Sequence, residues 1–163
     1  MKNLYIDFDG VILDTITPLY KMVDENNIEK NEKSVAEFIS KLDYNEIINK
    51  SPVLNNGIEA IKKLIESNKF NINILTHITS LDEGIVKTKY IRKYFSDLTV
   101  ILVPKKISKT KMVHTKDSIL VDDYAGNLRE WESEGGVPVR FSTKLNSKGF
   151  TVIDNLEQLI DLF

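Results

Sequence analysis

Two apolar runs that each end in a pair of carboxylates constrain this chain more than any other feature. The first, Leu4-Tyr5-Ile6, leads into Asp7-Phe8-Asp9-Gly10-Val11, and the second, Ile119-Leu120-Val121, leads into Asp122-Asp123. A near-continuous apolar run reads as a strand buried on both faces, which is the environment of a parallel sheet. Asp7 and Asp9 lie two apart, so in an extended chain both side chains point to one face. Carboxylates gathered at the end of a buried strand repel each other, and a hard divalent cation with oxygen ligands is the usual remedy. Gly10 lets the backbone turn sharply where the strand stops. Turn and cap chemistry would account for one such run. Two buried strands that both finish in adjacent acids are hard to explain that way.

The rest of the chain alternates between short apolar runs and amphipathic segments. Strands are expected over Asn3 to Asp7, Ile72 to Thr76, Thr99 to Val103, Ser118 to Asp122 and Val137 to Phe141. Helical signals lie between most of them, which argues for an α/β fold with a parallel sheet and helices on both faces. Thr17-Pro18 reads as an N-cap followed by proline in the first helical position. Ser80-Leu81-Asp82-Glu83 reads as a capping box for a helix running to about Phe95. Tyr124 to Glu134 reads as a helix stopped by Gly135-Gly136, and Asp154 as the cap of a last helix through Leu162. Four helical segments separate the first two strands, where one crossover helix would suffice. Residues 14–51 are therefore expected to form a small helical insert, with 1–13 and 52–163 making one core domain.

Composition narrows the function classes. A chain of 163 residues, 42% hydrophobic and 28% charged, suits one domain with a small insert. The absence of cysteine excludes disulfides, thiolate metal sites and a cysteine nucleophile. A net charge of −2 with mixed signs leaves no basic face for an extended nucleic acid. No run is long enough to span a bilayer, and Asp7 and Asp9 break the opening run too early for a signal peptide. A cytoplasmic location is the expectation.

The pair Asp7-Phe8-Asp9-Gly10-Val11 and Ile119-Leu120-Val121-Asp122-Asp123 resembles the nucleophile loop and the distal acidic motif of the haloacid dehalogenase (HAD) superfamily, mostly phosphohydrolases. The resemblance covers the whole chain in outline, through four short motifs in the right order. It implies a HAD-like Rossmannoid three-layer fold, with a five-stranded parallel sheet of order 3-2-1-4-5 and a small helical cap. It also implies Mg2+, held by the Asp7 and Asp122 carboxylates and the Asp9 backbone carbonyl. Asp7 would then be the nucleophile and Asp9 the general acid and base, a role that asks for a pKa nearer neutral than that of a free aspartate. Asp123 would order a metal-bound water, or cap the helix that starts near Tyr124.

Thr76, at the end of the second strand, sits where such enzymes carry a hydroxyl that binds phosphate. His77 beside it departs from the pattern, and either touches substrate or faces solvent from a loop. His114, in an expected helix, has no role. The family needs a lysine before the fourth strand, and Lys105, Lys106, Lys109 and Lys111 compete for that place. Ser108 reads as an N-cap, which puts Lys109 in the first helical turn. A cation there opposes the helix dipole unless an anion shares the site, so Lys109 is preferred, with Lys111 next.

The stretch from Asp123-Tyr124 to Asn127, with Trp131 and Phe141, resembles the 5'-nucleotidase and deoxyribonucleotidase-like branch. Asn127 could brace the acidic loop, and Trp131 is expected in the core. Tyr20, Phe38 and Tyr44 could stack on a base, although at least two of them are expected to fill the core of the insert. The partner expected is a small phosphorylated substrate, with a nucleotide as one candidate. A phosphatase for a sugar phosphate or a nucleic-acid end, and a catalytically silent binding module, stay open beside it. Dehalogenase chemistry is a minor alternative.

Overall fold

A computed structural model describes all residues from Met1 to Phe163. Six parallel strands form its centre: β1 (Lys2–Ile6), β2 (Phe70–Ile78), β3 (Thr99–Pro104), β4 (Ile119–Asp122), β5 (Val137–Phe141) and β6 (Thr151–Ile153). Their order across the sheet is β3-β2-β1-β4-β5-β6. The five expected strands are present in the expected order, and β6 extends the sheet by one. It pairs only with Val139 to Phe141 of β5. Pro138 of β5, which has no N–H to donate, therefore lies outside the stretch flanked on both sides.

Alternation along the strands divides the interior in two. Leu4 and Ile6 of β1 join the larger buried cluster, with Ile58, Ile61 and Leu64 of helix α4 (Gly57–Glu66) and Ile91 of α5 (Leu81–Tyr94). Tyr5, between them, points to the other face. It packs there with Leu75, Val103 and Leu120 and with Leu128 and Trp131 of α6 (Ala125–Ser133). Trp131 is completely buried, meets Tyr5 edge-on, and donates its indole N–H to the Ser118 carbonyl at 2.9 Å. A large aromatic with its one polar atom satisfied is a favourable core residue, as the sequence led us to expect.

Three helices lie between β1 and α4: α1 (Ile16–Glu25), α2 (Glu32–Ser40) and α3 (Tyr44–Asn49). Leu19 of α1, Tyr44 and Ile47 of α3 and Val86 of α5 form a small cluster of their own. α2 contributes no buried residue at all. Of the three aromatics expected in or near this core, only Tyr44 is buried; Phe38 is half-buried and Tyr20 is 46% exposed.

Several ends differ from expectation for local reasons. α1 begins at Ile16, and Thr17 instead donates its N–H and hydroxyl to Asp14, which takes the capping role from outside the helix. Ser80 does accept from the Glu83 N–H, but the Glu83 carboxylate accepts from the Thr79 N–H, so the box is not closed on Ser80. Asn155, not Asp154, caps the last segment, with Gln158 completing a capping box. That segment opens as a single 3-10 turn, Leu156–Gln158, before α7 (Leu159–Leu162). No helix is long and apolar enough to cross a membrane.

Candidate active site

The chain leaves β1 toward β2 on one side, and later returns to place β4 on the other side of β1. That reversal makes the carboxyl ends of β1 and β4 the point where the sheet opens a crevice. The register is tight: Ile6 lies opposite Val121, and the Asp7 N–H donates to the Val121 carbonyl at 2.9 Å. Asp7 and Asp122 are thereby fixed side by side.

Beyond Asp7 the strand ends. The Phe8 carbonyl accepts from Val11, Ile12 and Leu13, curling the chain back, and Gly10 adopts φ +73°. A side chain at Gly10 would run into the Asp123 carboxylate, so the glycine is required by both its conformation and the space. Because the chain curls here, Asp7 and Asp9 do not share partners as an extended strand would suggest. Each faces a different buried lysine.

Lys109 serves Asp7. It lies in the 3-10 turn Lys109–Lys111 ahead of β4, is 2% exposed, and reaches Asp7 at 2.9 Å and Asp122 at 2.7 Å. Its competitors pair with neither acid: Lys106 is exposed, Lys105 is exposed although it lines the same cavity, and Lys111 pairs with Glu134 at the surface. Ser108 caps the turn by accepting from the Thr110 N–H. Asn127 of α6 donates to the Asp122 carboxylate at 2.9 Å, and the Tyr124 N–H donates to its other oxygen. α6 starts with no side-chain cap, so the helix-capping alternative for Asp123 is not what the structure gives.

Lys87, which no motif singles out, serves Asp9. It is completely buried in α5 and reaches Asp9 at 2.6 Å and Glu83 at 3.7 Å. It also donates to the Thr76 hydroxyl at 3.2 Å and the His77 carbonyl at 2.9 Å. Glu83 and Lys87 are spaced i,i+4, which reads as a surface pair on an amphipathic helix. A signal was available in the low apolar content of α5, whose inner face carries two charges. Thr15 and Tyr44 donate to the second Asp9 oxygen at 2.7 and 2.9 Å. The Thr76 hydroxyl lies 3.5 Å from the first.

Thr76 thus sits in the acid–lysine network, fully buried. His77 is within β2, not a loop; its Nε2 lies 2.8 Å from the Ile107 carbonyl, and burial lowers its pKa. His114 is exposed and outside any helix.

The electrostatics separate the two aspartates. Burial, and next the Asp122 charge, push Asp7 up to about 7 in spite of Lys109. Asp123 rises to about 8 for the same first reason, with Asp7 and Asp122 adding to it. Asp9 behaves oppositely. Burial pushes it up, but Lys87, Thr15 and Tyr44 together outweigh burial and hold it below the usual carboxylate range. The near-neutral Asp9 expected from the sequence is therefore not what this arrangement gives.

Oxygen atoms of Asp7, Asp122 and Asp123 lie within 4.8 Å of one another. One ammonium group, Lys109, pairs with Asp7 and Asp122 and leaves Asp123 without a salt bridge, so the cluster lacks positive charge, and its donors are all hard oxygens. That set fits Mg2+, which takes few protein carboxylates and keeps waters. The Asp9 carboxylate is not part of the cluster.

One consequence can be checked directly. In the metal-free protein Asp7 and Asp123 hold protons that the unfolded chain, with ordinary aspartates, has already lost. Stability is thus expected to fall as pH rises from about 4 to about 8. Urea unfolding across that range, with EDTA and with millimolar Mg2+, measures it. Added Mg2+ should flatten the slope, and an EDTA curve that is already flat would contradict the charge balance described here.

No protein-family profile matches the sequence, and no curated protein matches it. Solved structures do match in shape. A HAD-superfamily hydrolase of subfamily IA from Geobacter sulfurreducens aligns with TM-score 0.65 at 16% identity, over 100% of both chains. A HAD phosphatase from Thermococcus onnurineus aligns with TM-score 0.64 at 18% identity, over 99% of this chain and 97% of that one. A HAD-hydrolase of Bacillus subtilis bound to magnesium aligns with TM-score 0.63 at 13% identity, over the same shares. With a parallel sheet in this order and the acid-bearing ends of β1 and β4 side by side, the chain has the fold of the HAD-superfamily hydrolases.

Proposed function

We propose that this protein is a Mg2+-dependent phosphomonoester hydrolase that works through an aspartyl-phosphate. The observation that carries the reading is the meeting of Asp7, Asp122 and Asp123 around Lys109 at the ends of two adjacent central strands. Asp7 attacks phosphorus, the ester bond to the alcohol breaks, and water later cleaves the acyl phosphate to release phosphate and free Asp7. Lys109 orients Asp7 and neutralises charge on the phosphate. Asp7, Asp122 and the Asp9 backbone carbonyl would hold Mg2+, with Asp123 beside it through water. When bound, the ion offsets the negative charge that would otherwise keep a phosphate out. His77 lines the phosphate end of the site, and Thr76, buried behind it in the Lys87 and Asp9 network, would reach the phosphate only if that network opened.

Asp9, ionised as it is held here, first takes up a proton from solvent, gives it to the departing alkoxide, and then takes one from the attacking water. Its two oxygens are held by Lys87, Thr76, Thr15 and Tyr44. It binds that proton only once the Lys87 ammonium, the main stabiliser of its charge, turns away. Tyr44 belongs to the inserted helices, which we read as a cap over the site. The resemblance of the stretch from Asp123 to Asn127 to the 5'-nucleotidase branch supports nucleoside monophosphates as candidate substrates, with sugar phosphates and phosphorylated nucleic-acid ends beside them.

The full occupation of Asp9 favours a second reading, a HAD-shaped binding module without turnover. Assay of 4-nitrophenyl phosphate separates the two. Hydrolysis is expected with Mg2+, and excess EDTA should stop it. Phosphate binding without any turnover would select the binding module.

A further inference from the structure

The cavity that begins at Asp7 and Asp9 continues under the inserted helices, with a volume of about 500 Å3. That is a common size for a small-molecule site. Its far wall is apolar: Ile16, Leu19, Val35, Ala36 and Ile39, with Tyr20 at the edge. Three of these come from α2, none of whose residues is fully buried, although Ile39 also packs against the cluster of Leu19 and Tyr44. Val35, Ala36 and Ile39 are half-buried, so an apolar helix face borders the cavity.

The buried polar side chains at the acid end of the cavity are engaged already, with one exception. Thr15 donates to Asp9, Asn127 to Asp122, and His77 is tied to the Ile107 carbonyl. Glu83 accepts from Thr79, Asn31 accepts from the Ser34 N–H, and Lys30 pairs with Asp24. One hydroxyl, Thr79 Oγ1, is buried without a partner. Lys105, Glu32, Tyr20 and Tyr124 also line the cavity with unpaired polar atoms, but all four are exposed and already served by solvent. A sugar or a base edge laid against Val35, Ala36 and Ile39 would lose its water and find no polar partner on that wall, which is costly for every unpaired group. An apolar group would lose nothing and would cover α2.

We infer that the alcohol portion of the substrate is apolar, so that the cavity takes phosphomonoesters of hydrophobic alcohols in preference to sugar phosphates and nucleotides. This rests on the phosphohydrolase reading above. The phosphate sits at the acid and lysine end, and the hydrocarbon lies against Val35, Ala36 and Ile39, with Thr79 able to donate a single hydrogen bond.

The test compares primary alkyl esters, whose leaving groups are chemically alike: hexyl phosphate, 2-phenylethyl phosphate, glucose 6-phosphate and thymidine 5'-monophosphate. Acetyl phosphate serves as a small, activated control. The first two are expected to exceed the polar pair in kcat/KM by at least about tenfold, since each buried methylene contributes about fourfold in affinity. Val35→Asn should shrink that ratio, mainly through KM for the hydrophobic esters. A thermal melt checks that the variant folds, and Ala36→Ser provides a second, milder change in the same wall. If all four esters are cleaved within threefold of one another, or the polar pair is preferred, the inference fails while the phosphohydrolase reading stands. Failure to cleave any of them, with acetyl phosphate still hydrolysed, also sinks the inference alone. If acetyl phosphate too is untouched in the presence of Mg2+, the reading beneath it falls and takes the inference with it.

Discussion

Asp7→Asn is expected to lower kcat for 4-nitrophenyl phosphate by on the order of 10⁴-fold, the scale seen when a nucleophile is removed. The substitution is nearly isosteric and keeps the backbone bond to Val121, so geometry is preserved while the attacking anion is lost. A second readout separates chemistry from folding. Asp7 is a buried acid held up to about 7 by burial and by Asp122. Its charge opposes folding above that pH, so the neutral amide should leave the metal-free protein at least as stable as wild type at pH 8. Loss of turnover with retained or improved stability is the expected pair of results. Full activity in this variant would exclude Asp7 as the nucleophile, and with it the mechanism.

Lys87→Met is the second large effect, and here it falls on stability. The lysine is completely buried, and its charge is shared by Asp9 and Glu83, both mostly removed from solvent. Removing one member of a buried ion pair costs about 3–5 kcal/mol, because the remaining charges are left without compensation. The lower end is expected, since the Asp9 carboxylate is 23% exposed and keeps its bonds from Thr15 and Tyr44. The midpoint of urea unfolding at pH 7 should fall accordingly. Glu83→Gln in the same background should recover part of the loss, since it removes one of the two stranded charges. A Lys87→Met protein as stable as wild type would mean that the buried triad contributes nothing to holding the fold.

The sheet was legible because its strands carry their burial in their composition. Val137 to Phe141 is observed with the expected ends, and β1 and β4 differ by a residue or so. β6 was not legible: three residues after Gly149-Phe150 make too short a run to stand out from a loop, and pairing with β5 alone makes it a strand. The acids were legible because few structures need carboxylates at the ends of two buried strands. Lys109 could be chosen among four lysines by a local argument, the conflict of a cation with a helix start.

Lys87 could not be chosen this way. Its partners lie 78 residues away at Asp9 and one turn away at Glu83, and the second of these suggests a solvent-facing pair. Only the packing of α5 against β2 and the inserted helices turns that face inward. Tyr44 escaped for a similar reason. Its ring lies in the small cluster with Leu19, Ile47 and Val86, as a core aromatic would, yet its hydroxyl ends on Asp9. An amphipathic side chain can serve the packing and the site at once.

The placement of Trp131 has a practical bearing. It is the one tryptophan in the chain, it has no exposed surface, and it lies on the sheet face covered by α6, in a different cluster from the inserted helices. Its fluorescence will report the melting of the sheet and α6. Rearrangement of the helices above the crevice will leave that emission unchanged, so following it calls for a second fluorophore placed on α2.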